Sequence, residues 1–324
     1  MASLRKPVIV VTGPTGSGKS NLIYSLPQNL PITVISADSR QIYRGLPILT
    51  AMPTAEQLSR FPHELIHFLP LQERYSAGDF AKDCKAAIEK AHSAKRLPVI
   101  VGGTFFYIKT LWDGIPEAVQ VDNETEEAVA KLDNQTIHTE LLQLDPDAAG
   151  AIHPQDTYRL RRALAVSLTL QKTKADFRYS ERKYSPGQYN EFEFFPCWLD
   201  LNRQELYDRI NARTAAMFEN NVIMEIVNAI EQGNSWNSPG LQTIGIPEIL
   251  GEYTNAREFV DDWHKGCIDA KQVENWQQKI ATSTRRYAKR QLTWFRHEPR
   301  LKRFDPHIEL SQLSGIIENS IRKL

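Results

Sequence analysis

Three short segments in the first third of the chain, "PVIVVTG", "ITVISAD" and "LPVIVGGT", are almost continuously apolar and rich in β-branched residues. Strands buried on both faces read this way, whereas strands with one wet face alternate. Helix-period stretches separate the three, and alternating β and α predicts a parallel sheet covered by helices on both sides. From about Asn123 to Gln171 the pattern turns helical and charged, through "ETEEAVAKL", "TIHTELLQL" and "TYRLRRALAVSL", with no evident strand. "EFFPCWLDL" resumes the strand pattern. "RQELYDRINARTAAMFENN" then reads as an amphipathic helix closing on Asn220-Asn221, and Asn tolerates the left-handed backbone of a helix end. The expected architecture is an α/β core with an inserted all-α domain. Residues 1–116 form the first part of the core, 117–192 the insertion, and 193–324 the completion of the core.

Composition narrows the function classes. At 324 residues the chain holds 39 Lys+Arg against 39 Asp+Glu. With no net charge, any nucleic-acid site must be local rather than a coat over the whole surface. Cys84, Cys197 and Cys267 are far apart and odd in number. That excludes a disulfide framework and a CxxC metal site, and points to a reducing compartment. The first residues, "MASLRKPVIVVTG", enter a core strand directly, and no apolar run approaches the roughly 18 residues of a spanning helix. The expectation is a soluble cytoplasmic protein with no membrane partner.

The first strand runs into Gly13-Pro14-Thr15-Gly16-Ser17-Gly18-Lys19-Ser20, which fits the phosphate loop G-x-x-x-x-G-K-[ST] at every fixed position. The chemistry needs that spacing. Glycines let backbone N–H groups converge on a phosphate at a helix N-terminus, Lys19 adds a point charge, and the Ser20 hydroxyl can ligate Mg²⁺. The parallel sheet is therefore of the P-loop NTPase-like kind. Its ligands gather beyond the carboxyl ends of the strands, where the second strand delivers Asp38 and the third delivers Thr104. Each has a plainer reading, Asp38 as a helix or turn cap and Thr104 as a turn residue. No other apolar strand is seen to close on the Asp of a Walker-B ATPase, which counts against a motor or switch.

Near the end, "QQKIATSTRRYAKRQLTWFR" carries a helical stripe of Ile280, Thr284, Tyr287, Ala288, Leu292 and Phe295. Arg285, Arg286, Lys289, Arg290 and Arg296 fill much of the remainder, with no acid between Lys279 and Arg296. A solvated charged face and an RNA-binding face both fit. Interleaved Tyr and Trp favour RNA, since bases stack on such side chains. A second basic cluster, Arg159, Arg161 and Arg162, lies in the helical insertion.

Taken together, these segments resemble the tRNA dimethylallyltransferases. The likeness runs in order through "GPTGSGKS", "ISADSRQIYRGLPILTAMPT", "YSAGDF", "PVIVGGTFFYIKTL", "LDPDAAGAIHPQDTYRLRRALAV", "ELYDRI", "LQTIGIPEI" and "TRRYAKRQLTWFR". It implies transfer of a dimethylallyl group from dimethylallyl diphosphate to N6 of adenine 37, beside the tRNA anticodon. The octet from Gly13 to Ser20 would then hold a diphosphate that departs, with Mg²⁺ on Ser20. Asp38 matches the family's general base, and Thr104 a residue contacting the flipped adenine or the donor's oxygens. The anticodon stem-loop would meet Asp38, Ser39, Arg40 and Gln41. It would also meet Tyr158, Arg159, Leu160, Arg161 and Arg162 of a mobile helical domain. On the basic helix it would meet Lys289, Arg290, Gln291, Leu292, Thr293, Trp294, Phe295 and Arg296. A monomer is expected.

Two stretches depart from the family pattern. Leu49-Thr50-Ala51-Met52-Pro53 stands where Gly-Thr-Ala-Lys-Pro is usual, and Ile246-Pro247 stands where an aromatic and a base are usual. Both are expected to border the RNA groove. Other readings are an adenylate isopentenyltransferase acting on free adenine nucleotides, a P-loop small-molecule kinase, and a non-catalytic RNA-binding protein. The first two have no use for the basic helix, and the retained Lys19, Ser20, Asp38 and Thr104 speak against the third.

Overall fold

The computed structural model describes residues 5–114, 119–175, 177–181, 189–305 and 310–324. The chain divides into two compact units, one made of Met1–Leu111 with Tyr189–Leu324 and the other of Trp112–Gln188. The expected junction between 116 and 117 lies outside the described residues.

The first unit opens with β1 (Lys6–Thr12), α1 (Lys19–Tyr24), β2 (Ile32–Ser36), α2 (Ala55–Arg60), β3 (His63–Glu64), α3 (Ala77–Ser93), β4 (Leu97–Gly102) and most of α4 (Phe105–Asp113), whose last two residues are assigned to the second. The second holds α5 (Asn123–Ala130), α6 (Asn134–Leu144), α7 (Pro146–Ala151) and α8 (Thr157–Lys172). The first then resumes with β5 (Phe192–Leu199), α9 (Arg203–Glu219), α10 (Val222–Glu231), a 3₁₀ turn (Pro239–Gln242) and α11 (Ile246–Leu250). It closes with α12 (Ala256–His264), α13 (Ala270–His297), β6 (Lys302–Phe304) and α14 (Leu310–Ile321).

All four strands expected from the apolar pattern form, and β3 and β6 extend them at the edges. The sheet has six strands in the order β3-β2-β4-β1-β5-β6, and every recorded pairing is parallel. The central strands are buried on both faces, as their unbroken apolar runs require. Ile9, Val11, Val34, Leu97 and Val99 share one core cluster with Leu22 and Ile23 of α1 and with Leu313 and Ile317 of α14. Since β1 lies between β4 and β5, the strand order reverses at β1, and a parallel sheet opens its ligand crevice at such a point.

Local chemistry sets the helix starts. Ser76 caps α3 in a reciprocal box with Asp79, which gives the "YSAGDF" stretch a structural job. In the second unit Asp122, Asp133, Asp145 and Asp156 each accept the N–H three residues on, at the heads of α5, α6, α7 and α8. Each cap contributes about 1 kcal/mol. Ile137, Leu141, Leu160 and Leu164 form that unit's own core. At the end of α9, Asn221 takes the left-handed conformation (φ 62°, ψ 42°) expected of it.

Candidate active site

The phosphate loop links β1 to α1 through Gly13, Gly16 and Gly18, whose φ angles of 147°, 84° and 88° suit glycine. Helix α9 backs it. Leu206 and Ile210 pack where a Cβ on Gly16 would be, and Arg209 lies over Gly18. Lys19 turns its ammonium into the loop, donating to the carbonyls of Gly13 (2.8 Å) and Pro14 (2.9 Å). Burial pulls its pKa down to about 8; the Asp38 carboxylate works against that shift, and the Arg213 guanidinium adds to it. Thr15 is half-buried, and Ser17 is fully buried with its hydroxyl unpaired among the described residues. Ser20, at the second position of α1, is exposed.

Three strand ends meet beside this loop. Thr12, closing β1, donates its hydroxyl to the Gly102 carbonyl at 2.8 Å. Gly102, closing β4, lies so near the Ala37 carbonyl that no side chain fits there. This close approach brings the turn after β2 against the turn after β4. Asp38 Oδ1 accepts the backbone N–H of Arg40 (2.8 Å) and of Gln41 (3.3 Å), fixing the turn that follows β2. Thr104 Oγ1 accepts the Ser39 N–H. Arg40 donates to the Pro239 carbonyl, and Gln41 holds the carbonyls of Thr50 and Ala51. So the plain readings of Asp38 as a turn cap and Thr104 as a turn residue hold true, and the same bonds place both beside Lys19.

Two further groups reach this point. Arg213 of α9 has its Nε buried without a partner among the described residues. Burial disfavours its charge and Asp38 favours it. Arg213 follows Arg209 at a spacing of four, on the helix face that carries Leu206 and Ile210 against the loop. That periodicity in "RQELYDRINAR" was available in the sequence. Tyr287 of α13 faces Asp38 and Thr104, and burial, followed by the Asp38 charge, pushes its pKa up to about 12.

The basic helix α13 divides into two faces. Trp276, Ile280, Thr284, Ala288, Gln291, Leu292 and Phe295 are buried, while Arg286, Lys289, Arg290, Thr293, Trp294 and Arg296 are exposed. Gln291, Leu292 and Phe295 are thus removed from the set of surface contacts expected for RNA, since the helical period turns them inward. Leu160 of α8 leaves that set for the same reason, being 0 % exposed. Around it, Tyr158 is 81 % exposed. Arg159 pairs with Asp156 at 3.4 Å, and Arg162 reaches the Val119 carbonyl and Glu126. Arg161 keeps a buried Nε without a partner among the described residues. The structure brings the phosphate loop, Asp38 to Gln41, Thr104 and α13 together in the first unit, whereas residues 158–162 belong to the second.

Three sequence expectations need correction. A strand other than those bearing the site does close on an aspartate: β5 runs into Asp200. Its Oδ2 is held by Arg303 Nε at 2.8 Å. Leu49 and Ile246 do not face a groove; both belong to one core cluster with Ile280 of α13. Leu49 fills the space that a Cβ on Gly245 would need, and Glu225 of α10 fixes its loop by accepting the N–H groups of Ile48 and Leu49. Pro247 stands in the first turn of α11, where the missing N–H costs nothing.

Chemically, the arrangement offers a polyanion cradle with an adjacent proton acceptor. No group of three or more His, Cys, Asp or Glu fit to hold a metal occurs among the described residues, and no helix there is long and apolar enough to cross a membrane.

Comparison with known proteins bears on this geometry. The tRNA dimethylallyltransferase of Geobacter sulfurreducens is 32 % identical over 305 residues, covering 93 % of this chain and 92 % of that one. The tRNA dimethylallyltransferase 1 of Trichlorobacter lovleyi is 35 % identical over 307 residues, covering 92 % and 93 %. Among solved structures, the tRNA isopentenylpyrophosphate transferase of Bacillus halodurans superposes with a TM-score of 0.66 at 30 % identity, over 98 % of this chain and 97 % of that one. A eukaryotic dimethylallyltransferase captured acting on tRNA gives 0.75 at 26 % identity, over 98 % and 80 %. The sequence profile of the IPP transferases matches residues 41–298, and the chain belongs to that family.

Proposed function

We propose that the protein transfers a dimethylallyl group from dimethylallyl diphosphate to N6 of adenine 37 in tRNA, releasing diphosphate. The observation that carries this reading is the meeting of Lys19, Asp38 and Thr104 at one point, under a helix whose outer face is basic and aromatic. A kinase would also use the cradle, and a free-nucleotide prenyltransferase the carboxylate. The exposed row of Arg286, Lys289, Arg290 and Trp294 suits a large anionic acceptor with stackable bases.

The reaction forms a bond from the adenine N6 to C1 of the allyl group and breaks the C1–O bond, whose electron pair leaves with diphosphate. Lys19 exchanges its two loop carbonyls for diphosphate oxygens, and with the loop amides and Arg213 it meets the charge developing on the leaving group. Asp38 accepts the proton lost from N6; its Oδ1 is occupied by the turn, and Oδ2 makes no hydrogen bond among the described residues. Thr104 holds Ser39, and through it the Asp38 turn. The exposed Ser20 hydroxyl, next in sequence to Lys19 at the head of α1, is a hard-oxygen donor of the kind that Mg²⁺ takes, and it would be the residue to hold the ion. When bound, Mg²⁺ would add Lewis-acid stabilisation of the departing diphosphate.

A cytoplasmic monomer completes the reading, three cysteines without a disulfide suiting a reducing compartment. The test is incubation with dimethylallyl diphosphate, Mg²⁺ and either unmodified tRNA or AMP. The expected product is tRNA whose adenine has gained one prenyl mass. Product on AMP alone, or ATP consumption without prenyl transfer, would overturn the reading.

A further inference from the structure

Gln291 interrupts the apolar stripe of α13 with a buried amide, 5 % exposed. Both ends of that amide are used. Its Oε1 accepts the backbone N–H of Thr15 in the phosphate loop at 2.9 Å, and its Nε2 donates to the carbonyl of Gly103 at 2.7 Å. Gly103 is bare where the amide passes: a Cβ there would lie 2.6 Å from Gln291 Nε2, 3.2 Å from the Gly13 carbonyl and 3.7 Å from Lys19 Nζ. One side chain therefore clips the loop after β1 to the turn after β4, next to the lysine and one residue before Thr104.

The residues around Gln291 in sequence face the other way. Lys289, Arg290, Thr293 and Trp294 are exposed, and Trp294 rests on Phe105, whose ring centroid is 5.2 Å away. A single turn of a 28-residue helix thus carries outward groups suited to RNA and an inward group bonded to the diphosphate loop. Anything that fixes or shifts this turn from outside acts on Thr15 and Gly103, because a buried amide cannot leave its partners without stranding polar groups.

We propose that Gln291 is a positioning residue that couples RNA occupancy of α13 to diphosphate retention in the loop. This rests on the reading of α13 as the RNA-facing helix. Coupling is reciprocal, so each ligand changes the affinity of the other by the same factor. Direct repulsion between the two anions also enters that factor, but it is the same with and without the clip. The informative quantity is the change in the factor when Gln291 is replaced.

The experiment measures binding of inorganic diphosphate with Mg²⁺ by titration calorimetry, with and without a saturating unmodified anticodon stem-loop RNA. No prenyl donor is present, so the readout is independent of turnover. It is run on the wild type, on Gln291→Met, which loses both bonds at similar volume, and on Gln291→Glu, which keeps the acceptor and loses the donor. Thermal unfolding confirms that each variant is folded. The ratio of diphosphate affinities with and without RNA is expected to fall about tenfold in Gln291→Met, within the usual range of coupling factors, and by less in Gln291→Glu. A merely structural Gln291 would weaken both affinities and leave the ratio unchanged, which would overturn the inference alone. Failure of the wild type to bind the RNA at all would overturn the proposed function and this inference together.

Discussion

Thr104 and Ser39 hold each other by two hydrogen bonds: the Ser39 N–H donates to Thr104 Oγ1 at 2.9 Å, and the Thr104 hydroxyl donates to Ser39 Oγ at 3.3 Å. Thr104 thereby sets the turn that carries Asp38. Thr104→Val keeps the shape and strands the Ser39 N–H, at a cost of about 1–3 kcal/mol. The expected result is a kcat lower by about 10–100-fold, with Thr104→Ser near wild type. Equal loss in both variants would show that the methyl group, not the hydroxyl, is what the site needs.

Asp38 should separate chemistry from binding. Asp38→Ala is expected to lower kcat by about 10²–10⁴-fold, the usual worth of a general base, while tRNA affinity stays within about threefold. Filter binding beside single-turnover kinetics checks both. Parallel loss of affinity and rate would assign Asp38 to RNA recognition instead.

Lys19 makes the loop sensitive to pH. Its folded pKa of about 8 lies below the ordinary 10.5, so between those values the unfolded chain binds the extra proton. Its charge is therefore a cost to folding below pH 8, relieved as pH rises through that window. Diphosphate needs the charged form. Its affinity should fall about tenfold per pH unit above the folded pKa, with proton uptake on binding. Calorimetry in buffers of different ionisation enthalpy reads that uptake, and Lys19→Arg should abolish the dependence.

The exposed face of α13 should govern the salt response. Replacing Arg286, Lys289 and Arg290 by Ala is expected to reduce the slope of log K against log salt by about 0.7 for each phosphate of a single-stranded loop that is no longer neutralised. An unchanged slope would leave these side chains as a solvated surface.

Leu49 should matter for stability and not for RNA. Leu49→Ala empties a site between Gly245 and Ile280 and should cost about 2–5 kcal/mol. Denaturant titration measures this, and RNA affinity of the folded variant should be unchanged. A selective loss of affinity would return Leu49 to the groove.

What the sequence revealed, and what it hid, follows the range of each signal. The phosphate loop is a local device, with glycines, strand and helix all within one stretch, so it could be read directly. Asp38 and Thr104 followed from the general rule about strand ends. Gln291 could not be found as a clip, because its partners Thr15 and Gly103 lie 276 and 188 positions away. A contiguous motif also names both faces of a helix, which is why Leu292 and Phe295 fall in with Lys289 and Arg290. The edge strands β3 and β6, of two and three residues, are too short to show a period.

The place of β1 in the sheet has a consequence for how the protein is made. β1 needs β5 along one whole side, yet the ribosome makes β5 only after all of Trp112–Gln188. During that interval the second unit can close its core from neighbouring helices, while the strand bearing the phosphate loop keeps a bare edge that is open to misjoining. Gln291 arrives later still. The phosphate loop, made before both, is thus among the last stretches to acquire its final form, and a chain ending short of β5 would carry the whole loop motif without the strand and the side-chain clip that hold it.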